Sequence, residues 1–276
     1  MPVHFSMFRG TSSSTSNVAL TPVADSVIPA LADQLQLSRS LMLIGAGVRV
    51  ATVSTDSAAF LDMPAFNELG RPAISPVFAP ADAPLTVDFS MYPTPLQVGD
   101  PLAVLAAQEA AIDYDVGVFF ADQLQCPGSE PVGWVPYTCG APSSASITNR
   151  WQSASLTLGV RLPAGSYRVL GIRHFQDFVV AMRLLPPGQT LRPGAFSLPA
   201  GSSEEPSLPR PETSGVLCTF DAIAPPSVEL YQPGAGTPAA GKGFLLLQRV
   251  GAAAGTGGCG CGKGGGCGCG GACGGR

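Results

Sequence analysis

Gly236-Thr237-Pro238-Ala239-Ala240-Gly241-Lys242-Gly243 comes nearest in this chain to the spacing of a reactive loop. A phosphate-binding loop offers backbone N–H groups and a lysine to the phosphates, and a Ser or Thr hydroxyl to magnesium. Here Gly243 stands where the hydroxyl is required, and Pro238 removes one of the donors. The following Phe244-Leu245-Leu246-Leu247 reads as a strand where a helix should begin. The pattern therefore argues against nucleotide binding. Gly45-Ala46-Gly47 opens like a dinucleotide fingerprint, but Val50 occupies the third glycine position and a strand pattern follows.

Hydrolytic chemistry needs a base, and the chain has two histidines, His4 and His174. His174 lies three residues before Asp177, which would allow a base and an orienting carboxylate. No Gly-x-Ser-x-Gly elbow presents a nucleophile, so His174 is expected to be a structural residue at a hairpin. Asp113 and Asp115 flank Tyr114 close to Glu109. They read either as paired carboxylates for acid–base or calcium chemistry, or more simply as a solvated hairpin tip. None of these groups assigns a catalytic residue, a cofactor or a metal ligand, and the chain is not expected to be an enzyme.

The eight cysteines fall into three groups. Cys218 alternates with Val216 and Phe220 and is expected to be buried. Cys126 and Cys139 bracket a loop containing Trp134 and Tyr137; they would form a disulfide in an oxidising compartment and stay free thiols in a cytosol. Cys259, Cys261, Cys267, Cys269 and Cys273 lie in residues 255–276, where 13 of 22 residues are glycine. Thiolates so spaced can hold Cu(I) or Zn(II), cross-link subunits, or do neither. The paired Cys-x-x-Cys of structural zinc sites is absent, so an inert or cross-linking tail ranks ahead of a metal clamp. So much glycine predicts a disordered segment.

The elements that would position these residues are strands. Val48, Val50 and Thr52 alternate with Arg49, Ala51 and Val53, and Leu102, Val104 and Ala106 follow Gly99-Asp100. Val116, Val118 and Phe120 alternate again, and the cleanest case is Leu156, Leu158, Val160 and Leu162. Period two buries one face of a strand and wets the other. With Tyr167–His174, Phe178–Leu185, Val216–Phe220, Val228–Leu230 and Phe244–Val250, the pattern predicts eight to ten antiparallel strands in a β-sandwich or jelly roll. One short helix is expected over Asp25–Leu37, where Ile28, Leu31 and Leu35 share a face. Residues 1–23 read as a flexible Ser/Thr-rich arm, 24–254 as the β domain, and 255–276 as the tail. Asp56–Pro84 and Pro186–Pro211 read as long Pro-rich excursions suited to contacts with partners.

Charged residues are 12% of the 276, about half the ordinary share. A surface so poor in charge is either covered by neighbouring subunits or made of Ser, Thr, Pro and Gly. The net charge of −4 gives no strong nucleic-acid signal. The longest apolar stretch, Leu41–Val53, is interrupted by Arg49 and falls short of the roughly 18 residues that a transmembrane segment needs.

Leu162-Pro163-Ala164-Gly165-Ser166-Tyr167-Arg168-Val169-Leu170-Gly171-Ile172, then Phe178–Leu185 and Leu191-Arg192-Pro193-Gly194, resembles the hairpin-rich body of jelly-roll virion proteins. Gly99-Asp100-Pro101-Leu102 leading into two strands is similar in style. The resemblance covers residues 40–250 in texture and implies a viral capsid subunit in a virion. Its partners would be copies of itself and other shell proteins, met through the arm and the Pro-rich loops. The alternative is a β-sandwich binding module, a surface adhesin or carbohydrate binder of cytoplasmic or cell-surface location. The third reading is metal binding by the Cys-rich tail. A binding module should cluster aromatics on an exposed face, and Trp134 and Trp151 are the only tryptophans.

Overall fold

The computed structural model describes residues 3–52, 56–64, 73–74, 84–89, 93–122, 130–142, 150–199, 215–234 and 236–250. These form strands in three sheets, with no α-helix among the described residues. The middle sheet runs β10 (Thr94–Leu96), β6 (Leu41–Val50), β12 (Asp113–Ala121), β1 (Val3–Thr11), β3 (Thr21–Pro22), with β9 (Leu85–Asp88) also on β6. A second sheet runs β4 (Ala30–Leu31), β5 (Gln34–Gln36), β11 (Pro101–Ala106), β7 (Ala59–Asp62), β8 (Ala73–Ile74), with β2 (Val18–Ala19) on β11. The third and largest begins β14 (Gln152–Ala154), β20 (Ser227–Tyr231), β17 (Ala181–Leu185), β18 (Gly194–Leu198). It continues β16 (Ser166–Phe175), β21 (Gly241–Arg249), β13 (Val132–Cys139), β15 (Leu156–Leu158), with β19 (Cys218–Asp221) beside β16. Pairing is antiparallel except between β16 and β18.

Why the middle sheet is in the middle is written in its strands. Leu41-Met42-Leu43-Ile44 and Val116-Gly117-Val118-Phe119-Phe120 offer apolar side chains to both faces, which only a sheet covered on both sides can bury. Phe5, Met7, Ile44 and Phe119 enter one core with the largest sheet. Phe8, Val48, Val116 and Phe120 enter a second core with β5, β7 and β11. Gly47 and Gly117 are opposite one another, and a Cβ on either would run into the Phe196 ring. The Gly45-Ala46-Gly47 pattern is thus part of a strand that leaves room for an aromatic cluster. In that cluster Phe5 stacks on Phe119 at 4.6 Å and meets Phe196 edge-on at 5.7 Å.

Three expectations are corrected. Residues 3–11, expected in a flexible arm, form β1 and pair with β12 along their full length. Phe5, Met7 and Phe8 are completely buried, each worth about 1.5–3 kcal/mol of transfer free energy. The expected helix over Asp25–Leu37 is instead a hairpin of β4 and β5, with Ala32 in the turn at φ 56°. Asp25 does accept the Val27 N–H at 2.8 Å, as a helix cap would, but there it closes a local turn. β5 then gains a backbone ladder on β11 that a helix could not form. The alternation over Leu156–Leu162 yields only β15; Leu158 is half-buried and Val160 is 48% exposed.

The Pro-rich excursions also contain structure: β7 and β8 lie within Asp56–Pro84, and β18 within Pro186–Pro211. The tail and Cys126 lie outside the described residues.

Candidate functional site

His174 is carried by β16 opposite Gly243 of β21, and Tyr137 of β13 flanks the other side of that glycine. Its Nδ1 meets the Tyr137 hydroxyl at 3.0 Å, and its Nε2 meets Gln176 Oε1 at 3.0 Å. Since that oxygen is an acceptor, the tautomer carrying its proton on Nε2 fits. The Gln176 amide donates to the Ala239 carbonyl at 2.6 Å, and the Cys139 thiol to Gln176 Oε1 at 3.6 Å. Both ring nitrogens of His174 are therefore engaged inside the protein.

The glycines of the loop-like pattern serve this cluster. A Cβ on Gly241 would sit 2.6 Å from Gln176 Oε1 and 2.7 Å from Cys139 Sγ, and one on Gly243 would strike the Tyr137 ring. Lys242 lies between them on β21, within a strand rather than a loop.

Burial pushes the Cys139 thiol up to about 11 and raises Cys218 further. Both thiols are free, buried and protonated at neutral pH, which makes them poor nucleophiles. Burial also holds His174 down to about 4, against its hydrogen bond to Gln176, which raises it. An unfolded histidine titrates near 6.5, so between about pH 4 and 6.5 the unfolded chain takes up a proton that the folded one refuses. This contribution to stability is complete above pH 6.5 and is lost as the pH falls toward 4. With only two histidines, the imidazole resonances resolve the question directly: the His174 midpoint should fall near pH 4, and one above pH 6 would contradict its burial.

His4, on β1, anchors a second buried network. Its Nε2–H donates to Asp25 Oδ2 at 2.9 Å, and its Nδ1 accepts the Arg192 N–H at 3.2 Å. The Arg183 guanidinium donates to Asp25 Oδ2 at 2.6 Å and to Glu229 Oε2 at 2.6 Å, while Arg192 reaches Glu229 at 2.9 Å. Arg183 also stacks over Trp151, 4.3 Å from the ring centroid. Burial alone would raise the Asp25 carboxyl; the His4 hydrogen bond and the Arg183 charge outweigh it and hold the group well below its usual range. Burial keeps His4 below its ordinary value and neutral. Two carboxylates and two guanidiniums alternate, so the charge balances. The network clasps β1 to β17 and β20.

Asp113 and Asp115 are strand residues of β12, not a hairpin tip. Asp115 faces Arg9 of β1 on one side and Arg49 of β6 on the other. Arg9 approaches Asp115 at 3.3 Å and Asp113 at 3.5 Å. Thr11 Oγ1 donates to Asp113 at 2.6 Å. Tyr114 points to the opposite face, and Glu109 is engaged elsewhere by the Ser57 hydroxyl at 2.9 Å. The structure thus brings together Arg9, Arg49, Asp113 and Asp115, of which sequence reasoning named only the acids. Phe178 borders the same hollow.

A different surface collects aromatics. On the outer side of β13 and β21, Trp134 pairs with Leu246 and Pro136 with Phe244. Val132, Trp134 and Phe244 are exposed, and Arg173 lies 4.4 Å over the Trp134 ring. Near β15, Leu158, Val160, Leu162, Ala222 and Ile223 line an apolar hollow of about 570 Å³.

No helix of the described residues is long and apolar enough to cross a membrane. No protein-family model matches the chain, and no curated protein matches it either.

Proposed function

We propose that this protein is a self-associating structural subunit, of the kind that builds a shell, with the outer face of β13 and β21 as one contact surface. The observation that carries this reading is the exposure of Val132, Trp134 and Phe244 together on one sheet face. Singly exposed hydrophobics are ordinary, whereas clustered ones mark contact surfaces. The same chain offers an apolar hollow beside Ile223, which is 87% exposed. A projecting apolar face and a hollow on one subunit suit head-to-tail contact between copies. Arg173 and Lys242 accompany the aromatic face, while Arg161 lines the hollow and exposed Asp221 lies next to it. A layered β fold and the likeness to virion proteins make a virion shell the assembly we favour.

Replacing Trp134 and Phe244 by Ser should weaken association at least tenfold in sedimentation velocity, with the β circular dichroism spectrum retained. Ile223→Asp should act in the same direction from the other side of the contact. Unchanged sedimentation in both variants would remove this surface from the proposal.

A binding module is the second reading. It is favoured by two observations, the hollow beside Phe178 and the clustering of Trp134 and Phe244 on an exposed face.

A further inference from the structure

Phe178 pays twice for its position. Its φ is 63°, in the left-handed region that a bulky side chain rarely adopts, and its side chain is 60% exposed in a turn where Gly or Asn would be at ease. Neither feature helps the chain fold, and strain of this kind gathers at functional sites. The ring is also held in place. A Cβ on Gly236 would overlap it, so one ring face lies against bare glycine backbone.

The ring stands between two adjoining hollows. One, of about 380 Å³, is lined by Arg9, Arg49, Asp113, Asp115 and Gly236 among others. The second, of about 370 Å³, includes Gln176, Asp177 and Pro199. Arg49 and Phe178 border both. The buried Tyr231 hydroxyl, which does not line the hollow, has Arg9 and Asp115 as its charged neighbours.

We infer that Phe178 and the Arg9–Arg49–Asp113–Asp115 cluster form a binding site for a neutral oligosaccharide, with one sugar residue in each hollow. An open aromatic face packs against the C–H face of a pyranose ring, and planar guanidinium and carboxylate groups reach pairs of adjacent hydroxyls. Two arginines against three aspartates, Asp177 included, leave the two hollows with a formal charge of −1, which disfavours phosphate and sulfate ligands. Two hollows sharing one aromatic ridge suit a chain of linked sugars better than a single compact ligand. The inference does not depend on self-association.

The test uses the full chain on a printed array of neutral gluco-, galacto- and manno-configured oligosaccharides, followed by calorimetry with the strongest binder. Phe178→Gly relieves the strained backbone, so its melting midpoint should be equal to or higher than that of the unaltered protein. Its binding should drop at least tenfold. Asp113→Asn, at a residue whose carboxylate is half exposed, should also weaken binding with the fold intact. Retention of neutral sugars by the unaltered chain, lost in Phe178→Gly with the midpoint preserved, is the expected result. No binding to any neutral oligosaccharide, or equal binding by both proteins, would overturn the inference.

Discussion

Asp25→Ala is expected to destabilise the protein by about 3–5 kcal/mol, because it leaves a fully buried guanidinium facing one carboxylate instead of two. His4 loses the acceptor for its Nε2–H in the same step. The loss should be read from the shift in the urea midpoint at constant slope. Replacing both members of the pair, Asp25→Leu with Arg183→Met, should cost less than Asp25→Ala alone, since apolar groups of similar size need no partner. A cost under about 1 kcal/mol for Asp25→Ala would show that water enters the network and that the clasp between β1 and β17 is weak.

Deletion of residues 1–23 should abolish cooperative folding. It removes β1, β2 and β3, and with them Phe5, Met7 and Phe8 from two cores. At about 1.5–3 kcal/mol for each large side chain, the loss rivals the whole stability of an ordinary domain. A flexible arm would predict an unchanged melting transition and altered assembly alone. The circular dichroism melt of the truncated chain separates these outcomes: absence of a transition supports β1 as a central strand, and a native-like transition contradicts it.

The same strand shows how far the sequence could be read. Val48–Val50, Leu102–Ala106, Val116–Phe120 and Phe244–Val250 were legible because two-residue periodicity or a continuous apolar run leaves little besides a strand. β1 was not, although Val3, Phe5 and Met7 alternate with His4 and Ser6, because a Ser/Thr run follows directly and the segment reads as an arm. Both polar residues are buried in the Asp25 network, a compensation that the local sequence does not show. Asp25–Leu37 misled for a related reason. An aspartate before an apolar face satisfies the same N–H in a turn as in a helix cap, and long-range pairing with β11 decides between them.

The candidate sites were less legible than the strands. Arg9 and Asp115 are 106 positions apart in the chain, and only strand register places them side by side. Asp113 and Asp115 were visible as a pair, but their arginine partners were not. Phe178 read as the start of an ordinary strand, and only its φ and exposure single it out. For Gly241 and Gly243 the sequence was suggestive in the wrong direction. Two glycines flanking a lysine fit a phosphate loop as well as they fit a strand pressed against Tyr137.

Self-association is the central claim, and electron microscopy of the purified full chain at high concentration tests it most directly. Regular particles or ordered arrays, built of many 28.1 kDa subunits, are the predicted result. A field of isolated single subunits would contradict the claim and leave the binding module as the better reading.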